Sequence, residues 1–352
     1  MSAPPALGTG SAPCHHGELL QGHFLDEHGR LRAALVTLPL DEHGARAAFL
    51  PAPGPRIEVV PADRTKALRA AVLTRDLCAR RTGSRPCGGE LRLFGDVPVG
   101  LGMGSSTSDV IAAVRAVADA YGQVLAPTDI ALLAVRAEQA CDPLMLDGRP
   151  RLFAQRDGRV IEEFGAALPP LVVVGCALGH GRPVDTLALP SPAPDEDTVR
   201  VYEELRARLR RAIRTDDRVL LGRVATASAL LGQRRLGHPE FTPLVRLAGR
   251  LGALGVQIAH SGCVAGVLFD PADPGLTDRL RRCVRALEDE GIPATRTFTT
   301  FPALEESFDG HGRAHRRGDR QTGSGAPRRP AALSALRDHE GRLRARRRTP
   351  AS

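Results

Sequence analysis

Residues 98–109 read PVGLGMGSSTSD, with three glycines at alternate positions running straight into four hydroxyl residues. Gly100, Gly102 and Gly104 let a backbone approach an anion closely and adopt positive φ, which other residues resist. The spacing predicts a helix over 105–121, stopped by Gly122 as its C-terminal cap. A glycine-rich turn opening a helix aims the first free N–H groups, and the positive end of the helix dipole, at a bound anion. Ser106, with Asp109 three residues on, fits a capping box that would fix the helix start. The hydroxyls of Ser105 and Ser106 are placed to reach a phosphate or a divalent metal. The run contains no lysine, which excludes a Walker-type loop, and it lacks the strand and ribose-binding acid of a dinucleotide fingerprint. A turn that merely caps a helix is the plain alternative, but so many glycines and serines in register are costly for folding alone.

Outward from this run the pattern alternates. Upstream, residues 12–24 (APCHHGELLQGHF) form a dense segment, and a mixed β region follows through 56–61. Leu68, Val72, Leu73 and Leu77 predict a helix over 65–81, and ELRLF at 90–94 a short strand. Downstream, a helix is expected over 127–141, opened by Pro127. LVVVGCA at 171–177 reads as a buried strand, and helices are expected over 199–213, 218–231 and 244–254. Strands at 256–259 and 264–269 flank a turn at 260–263, and a helix at 276–290 precedes a last strand at 294–299. Strands interleaved with helices mean an α/β or α+β (α/β two-layer) protein.

Composition narrows the function classes. The chain of 352 residues has room for two domains. No stretch approaches the ~18–20 apolar residues that span a bilayer. The first eleven residues lack a basic segment followed by an apolar one, so no secretory signal is expected. Seven cysteines with no CxxC pair predict reduced thiols and a cytoplasmic location. The net charge of +8 would suggest nucleic acid, but residues 309–352 carry twelve Arg against four acids, which accounts for all of it. That tail, rich in Arg, Gly and Pro, predicts a disordered extension after a neutral folded part, and this argues against nucleic acid as the main partner. Lys66, the only lysine, reads as a helix-surface residue.

PVGLGMGSST resembles the second signature motif of the GHMP kinases. APCHHGELLQG at 12–22 is similar to the family's N-terminal motif, and AHSGCVAG at 259–266 to its C-terminal glycine-rich motif. Within the family, GELLQG, GMGSSTSD with Thr107 and Asp109, and PVDT at 183–186 most resemble the L-threonine kinase branch. Two departures stand out: His15 and His16 occupy positions where that branch has small residues or Cys, and residues 175–181 lack an acid found there.

The resemblance implies a ribosomal-protein-S5-like N-terminal domain over residues 1–165, a ferredoxin-like C-terminal domain over 166–308, and an appended tail over 309–352. It implies ATP bound by Pro98, Gly100, Gly102, Gly104, Ser105, Ser106 and Thr107, with Mg²⁺ held by Ser106 and Glu138. Asp142, followed by Pro143, Leu144 and Met145, matches the family's base, which takes the proton from the acceptor hydroxyl. Lying past a helix C-terminus, it would have its proton affinity raised by the dipole. Glu138, one turn earlier, would face the same cleft. A solvated helix residue at Glu138, and a turn-initiating Asp142, remain the plain readings. Glu18, Gln21, Ser261 and Gly262 are expected at the substrate, with structural hydrogen bonding or a tight turn as alternatives. His15 and His16 have no third ligand at a metal-binding spacing. The expected reaction is ATP-dependent phosphorylation of a small-molecule hydroxyl, that of L-threonine first. A sugar, homoserine or a natural-product precursor is the alternative acceptor, and a homodimer stays open.

Overall fold

A computed structural model describes residues 6–95, 102–179, 194–260 and 263–301. The 309–352 tail, Pro98, Gly100, Ser261, Gly262 and the PVDT segment therefore lie outside the described residues. The first half holds β1 (Gly8–Leu25), β2 (Leu31–Ala52), β3 (Ile57–Val60), α1 (Thr65–Thr82), β4 (Gly88–Gly95), α2 (Ser105–Ala120) and α3 (Pro127–Glu138). A hairpin of β5 (Arg151–Ala154) and β6 (Arg159–Glu163) comes next. The second half holds β7 (Val172–Ala177), α4 (Glu196–Arg214), α5 (Arg218–Leu236), α6 (Phe241–Arg250), β8 (Gly255–Ile258), β9 (Val264–Phe269), α7 (Leu276–Asp289) and β10 (Ala294–Thr299).

One curled sheet runs through both halves in the order β10-β7-β9-β8-β1-β2-β4-β3, with β5 added beside β2. All pairings are antiparallel except β3 with β4. The seam is narrow: β1 meets β8 through the pair Glu18–Ile258. Helices α1, α2 and α3 pack with the β1, β2 and β4 end. At the other end, alternate residues of β7 and β9 point to opposite faces. Val173, Val264 and Leu268 join the core with α4 and α5, while Val172, Val174, Val267 and Phe269 join that with α6 and α7.

Helix α2 is the centre of the first half. Its Val110, Ile111 and Ala112–Val114 run is wholly buried, and small residues let the strand lie close. Gly8 and Gly10 of β1 touch the helix backbone: a Cβ at Gly10 would lie 2.3 Å from the Ala112 carbonyl oxygen. The hydroxyl of Ser108 donates to the Ala12 carbonyl (3.0 Å) and accepts from the Ala45 N–H (2.9 Å), stitching α2 to β1 and β2.

Three expectations about local structure need correction. Ser106 and Asp109 form no capping box; Gly104 is the N-cap, at φ 70° with no side-chain cap bond. Asp109 instead pairs with Arg64 at 3.0 Å, and Ser106 turns to Glu138. The helix expected to reach residue 141 ends at Glu138, because Gln139 takes a left-handed φ of 70°. The β5–β6 hairpin was not anticipated, since RLFA is buried throughout and shows no alternation.

The close contact of β1 with α2 makes Gly10→Ala an overpacking substitution. It is expected to lower stability by about 1–3 kcal/mol, read by thermal or denaturant unfolding; an unchanged midpoint would contradict the packing described.

Candidate active site

The glycine-rich corner opens on a cleft of about 220 Å³ lined by the start of α2, the end of α3 and the middle of β1. Gly102 and Gly104 have φ of 76° and 70°, the left-handed region that glycine tolerates best. At Gly104 a second reason applies: a Cβ would lie 2.5 Å from Cδ2 of His15. No side chain caps α2, so its opening N–H groups have no side-chain acceptor, and Ser105 and Ser106 of that turn line the cleft.

Glu138, the last residue of α3, is buried beneath this corner. Ser106 Oγ donates to its Oε2 at 2.9 Å, and Thr107 Oγ1 donates to its Oε1 at 2.8 Å. Burial raises its pKa to about 7, and repulsion from Asp142 adds to this, against the lowering effect of the hydroxyl bonds and Lys66. Lys66 is not merely a helix-surface residue: Nζ lies 3.8 Å from Glu138 Oε2, and the side chain lines the cleft. Thr107 bridges further, since its hydroxyl also accepts from the Asp142 N–H at 3.4 Å.

Strand β1 supplies the opposite wall. Register shifts between Pro13 and Cys14, between His15 and Glu18, and between Glu18 and Leu20 bend the strand. Such bulges re-aim side chains, and here both His15 and Glu18 reach the cleft. His15 Nε2 lies 3.1 Å from Asp142 Oδ2, and His15 Nδ1 lies 3.7 Å from Glu18 Oε1. The fold thus gathers His15, Glu18 and Asp142 within metal-ligand range of one another, a grouping that spacing along the chain did not show.

Their charges complement each other. Burial alone would lower the His15 pKa, but the Asp142 carboxylate and Glu18 outweigh it and raise it to about 9. Burial likewise pushes Asp142 up, yet His15, with help from His260 and Thr107, holds it below the usual range. The raised proton affinity expected from a helix dipole is therefore reversed. Helix α3 ends four residues earlier, and a cation sits closer. Glu18 goes the other way: burial, reinforced by Asp142, raises it to about 8, against the pull of His15. Asp142 is thus held the most acidic of the three, while burial raises Glu18 and the Asp142 carboxylate raises His15, whose Nδ1 accepts from the Gly17 N–H at 3.1 Å.

Of the expected site residues, the structure brings Gly102, Gly104, Ser105, Ser106, Thr107, Glu138, Asp142 and Glu18 to one cleft. Gln21 is not among the lining residues. Its side-chain amide donates to the Ile258 carbonyl at 3.1 Å, its Oε1 lies 3.2 Å from His260 Nδ1, and its N–H donates to Ser228 Oγ at 2.9 Å. It fastens β1 to β8 and α5 and orients His260, which does line the cleft. Gln155 and Arg156, at the turn of the unanticipated hairpin, line it as well. His16 faces away: it is buried against Gln257 and Phe298, and burial with the nearby Arg296 lowers its pKa to about 3.

A glycine corner at a helix start, with a buried carboxylate and an ionised aspartate beside it, is the arrangement of a small-molecule phosphotransferase. Comparison with known proteins narrows this. Residues 66–144 match the family described as GHMP kinases N terminal domain. The chain is 27% identical over 280 residues to the L-threonine kinase of Salmonella typhimurium, covering 75% of this chain and 83% of that protein. It is 32% identical over 206 residues to the 4-diphosphocytidyl-2-C-methyl-D-erythritol kinase of Methylorubrum extorquens, covering 58% and 63%. The fold matches that of homoserine kinase from Cytophaga hutchinsonii with a TM-score of 0.61 at 16% identity, over 85% of this chain and 96% of that one. Residues 66–144 thus match a GHMP kinase N-terminal domain, the chain has the GHMP kinase fold, and the relatives it matches are phosphotransferases.

Asp142→Asn removes the main counter-charge of His15. Its pKa is expected to fall from about 9, because burial is then opposed only by Glu18 and the Gly17 contact. NMR titration of the ring reads this directly, and an unshifted value would contradict the pairing.

Proposed function

We propose that this chain is an ATP-dependent kinase that phosphorylates the hydroxyl of a small acceptor, L-threonine first. The observation that carries the proposal is the continuous path from Ser106 through Glu138 and Thr107 to Asp142. It holds a proton acceptor beside the corner that receives phosphates. The triphosphate lies along the glycine-rich corner and the free N–H groups of α2, with Pro98 and Gly100 assigned to the same loop by motif alone.

Asp142 meets the acceptor hydroxyl and takes its proton as the oxygen attacks the terminal phosphorus. Its depressed pKa keeps it ionised and ready. In a loose transition state the hydroxyl sheds its proton late, so position counts for more than base strength. His15, packed against Gly104 with Nε2 3.1 Å from Asp142 Oδ2, lies between base and loop, where it steadies the carboxylate. Glu18 offers a neutral carboxyl to the acceptor, and Ser261 and Gly262 are assigned to the same side by motif.

Mg²⁺ suits the donor set. Glu138 and Ser106 offer hard oxygen ligands, and burial leaves the Glu138 carboxylate in need of positive charge. These two residues would hold the ion, which would shield the phosphate charge when bound.

The choice of threonine rests on the similarity to the Salmonella enzyme, which spans most of both chains. The match to the Methylorubrum kinase keeps a phosphorylated sugar alcohol derivative as the second reading. Residues 1–165 would form the nucleotide half and 166–308 the other, with 309–352 outside the reaction. Among the described residues no helix is long and apolar enough to cross a membrane. The cysteines form no disulfide, which fits a reducing, cytoplasmic setting.

ATP consumption measured against threonine, serine, homoserine and sugar alcohols tests the proposal. Threonine is expected to be turned over, with Asp142→Asn slower by about 10²–10⁴-fold. No turnover of threonine would remove that acceptor, and an unimpaired Asp142→Asn would remove the base.

A further inference from the structure

We propose that Lys66 is the phosphate-binding cation of this site, reaching from α1 to the terminal phosphates of the nucleotide. The inference rests on the nucleotide reading above and adds a residue that the motifs do not contain. It begins from a deficit. A nucleoside triphosphate brings several negative charges, and residues 98–109 supply no lysine or arginine to meet them. The N–H groups of α2 are neutral donors with a partial dipole charge. Beyond the proposed Mg²⁺, a full positive charge from the protein itself has to come from elsewhere in the fold.

The structure delivers the chain's single lysine to the required place. Lys66 is the second residue of α1 and lines the cleft together with Gly104, Ser105 and Ser106. Its delivery is not accidental. Arg64, two residues earlier, pairs with Asp109 in the first turns of α2 at 3.0 Å. That strut sets the start of α1 against the start of α2, and Lys66 is carried to the cleft mouth.

Its present partner does not hold it tightly. Both Glu138 oxygens already accept short bonds from Ser106 and Thr107, and Nζ stands off at 3.8 Å. The Lys66 side chain is 42% exposed, whereas that of Glu138 is 2%. A compact ammonium on a flexible four-carbon stem can turn to a phosphate oxygen without disturbing the hydroxyl clasp. The other cations at the cleft are placed for other work. His15 is paired with Asp142. Arg156 also lines the cleft, on the β5–β6 turn next to Gln155, whose carbonyl accepts from the Cys141 N–H one residue before the base.

Binding of ATP, ADP and AMP to the full chain and to Lys66→Ala and Lys66→Arg, measured by titration calorimetry, tests the proposal. A charge-assisted contact of this kind is worth roughly ten- to a hundredfold in affinity. ATP binding to Lys66→Ala is expected to weaken by that factor, AMP binding to stay within about twofold of the parent, and Lys66→Arg to fall between. A lysine that only neutralises Glu138 would weaken all three nucleotides alike or none, and either result overturns the proposal. A parent chain that binds none of the three overturns the nucleotide reading itself. The two failures are therefore distinguishable.

Discussion

The carboxylate of Glu138, buried and gripped by the hydroxyls of Ser106 and Thr107, is the joint on which the site depends. A buried carboxylate is costly unless its oxygens are met by donors. Here both donors come from the first turn of α2, so α3 can end only where α2 begins. That coupling places Asp142 against Thr107, and hydrogen bonds link the glycine corner, the acid and the base. Losing either hydroxyl would leave part of a buried charge unsatisfied, which explains why two adjacent hydroxyl residues follow the glycines.

A second constraint acts across the seam. β1 runs through both halves of the sheet, and its bulges turn His15 and Glu18 toward the same corner. His15 needs the missing side chain of Gly104 in order to approach, so that glycine serves the loop and the histidine together. His15 then lowers the pKa of Asp142, while burial raises that of Glu18 despite the pull of His15. Gln21, one turn of chain along, completes the seam by tying β1 to β8 and His260.

What could be read from the chain alone follows how local each feature is. The loop and α2 were legible because glycine, serine and helical periodicity carry their meaning within a dozen residues. Glu138 and Asp142 were legible as neighbours by resemblance and spacing, but their grip on Ser106 and Thr107 links residues 31 or more positions apart. Asp109 was misread because the capping-box pattern is satisfied in sequence, while Gly104 takes the cap position and Arg64 takes the carboxylate. The direction of the Asp142 shift was misjudged because the dipole argument could not include His15, which arrives from a strand 127 residues away. Lys66 was read as a helix-surface residue for the same reason. Its helix looks exposed in sequence, and only the packing of α1 on α2 turns its first turn toward the cleft.

Glu138 holds the structure together and, in the proposed reaction, also holds Mg²⁺. Glu138→Gln keeps the shape and removes the charge. The most direct test is the Mg²⁺ dependence of ATP turnover in this variant. The proposed role predicts that half-maximal activity shifts to a Mg²⁺ concentration about tenfold higher or more. An unchanged Mg²⁺ dependence in the folded variant would contradict it.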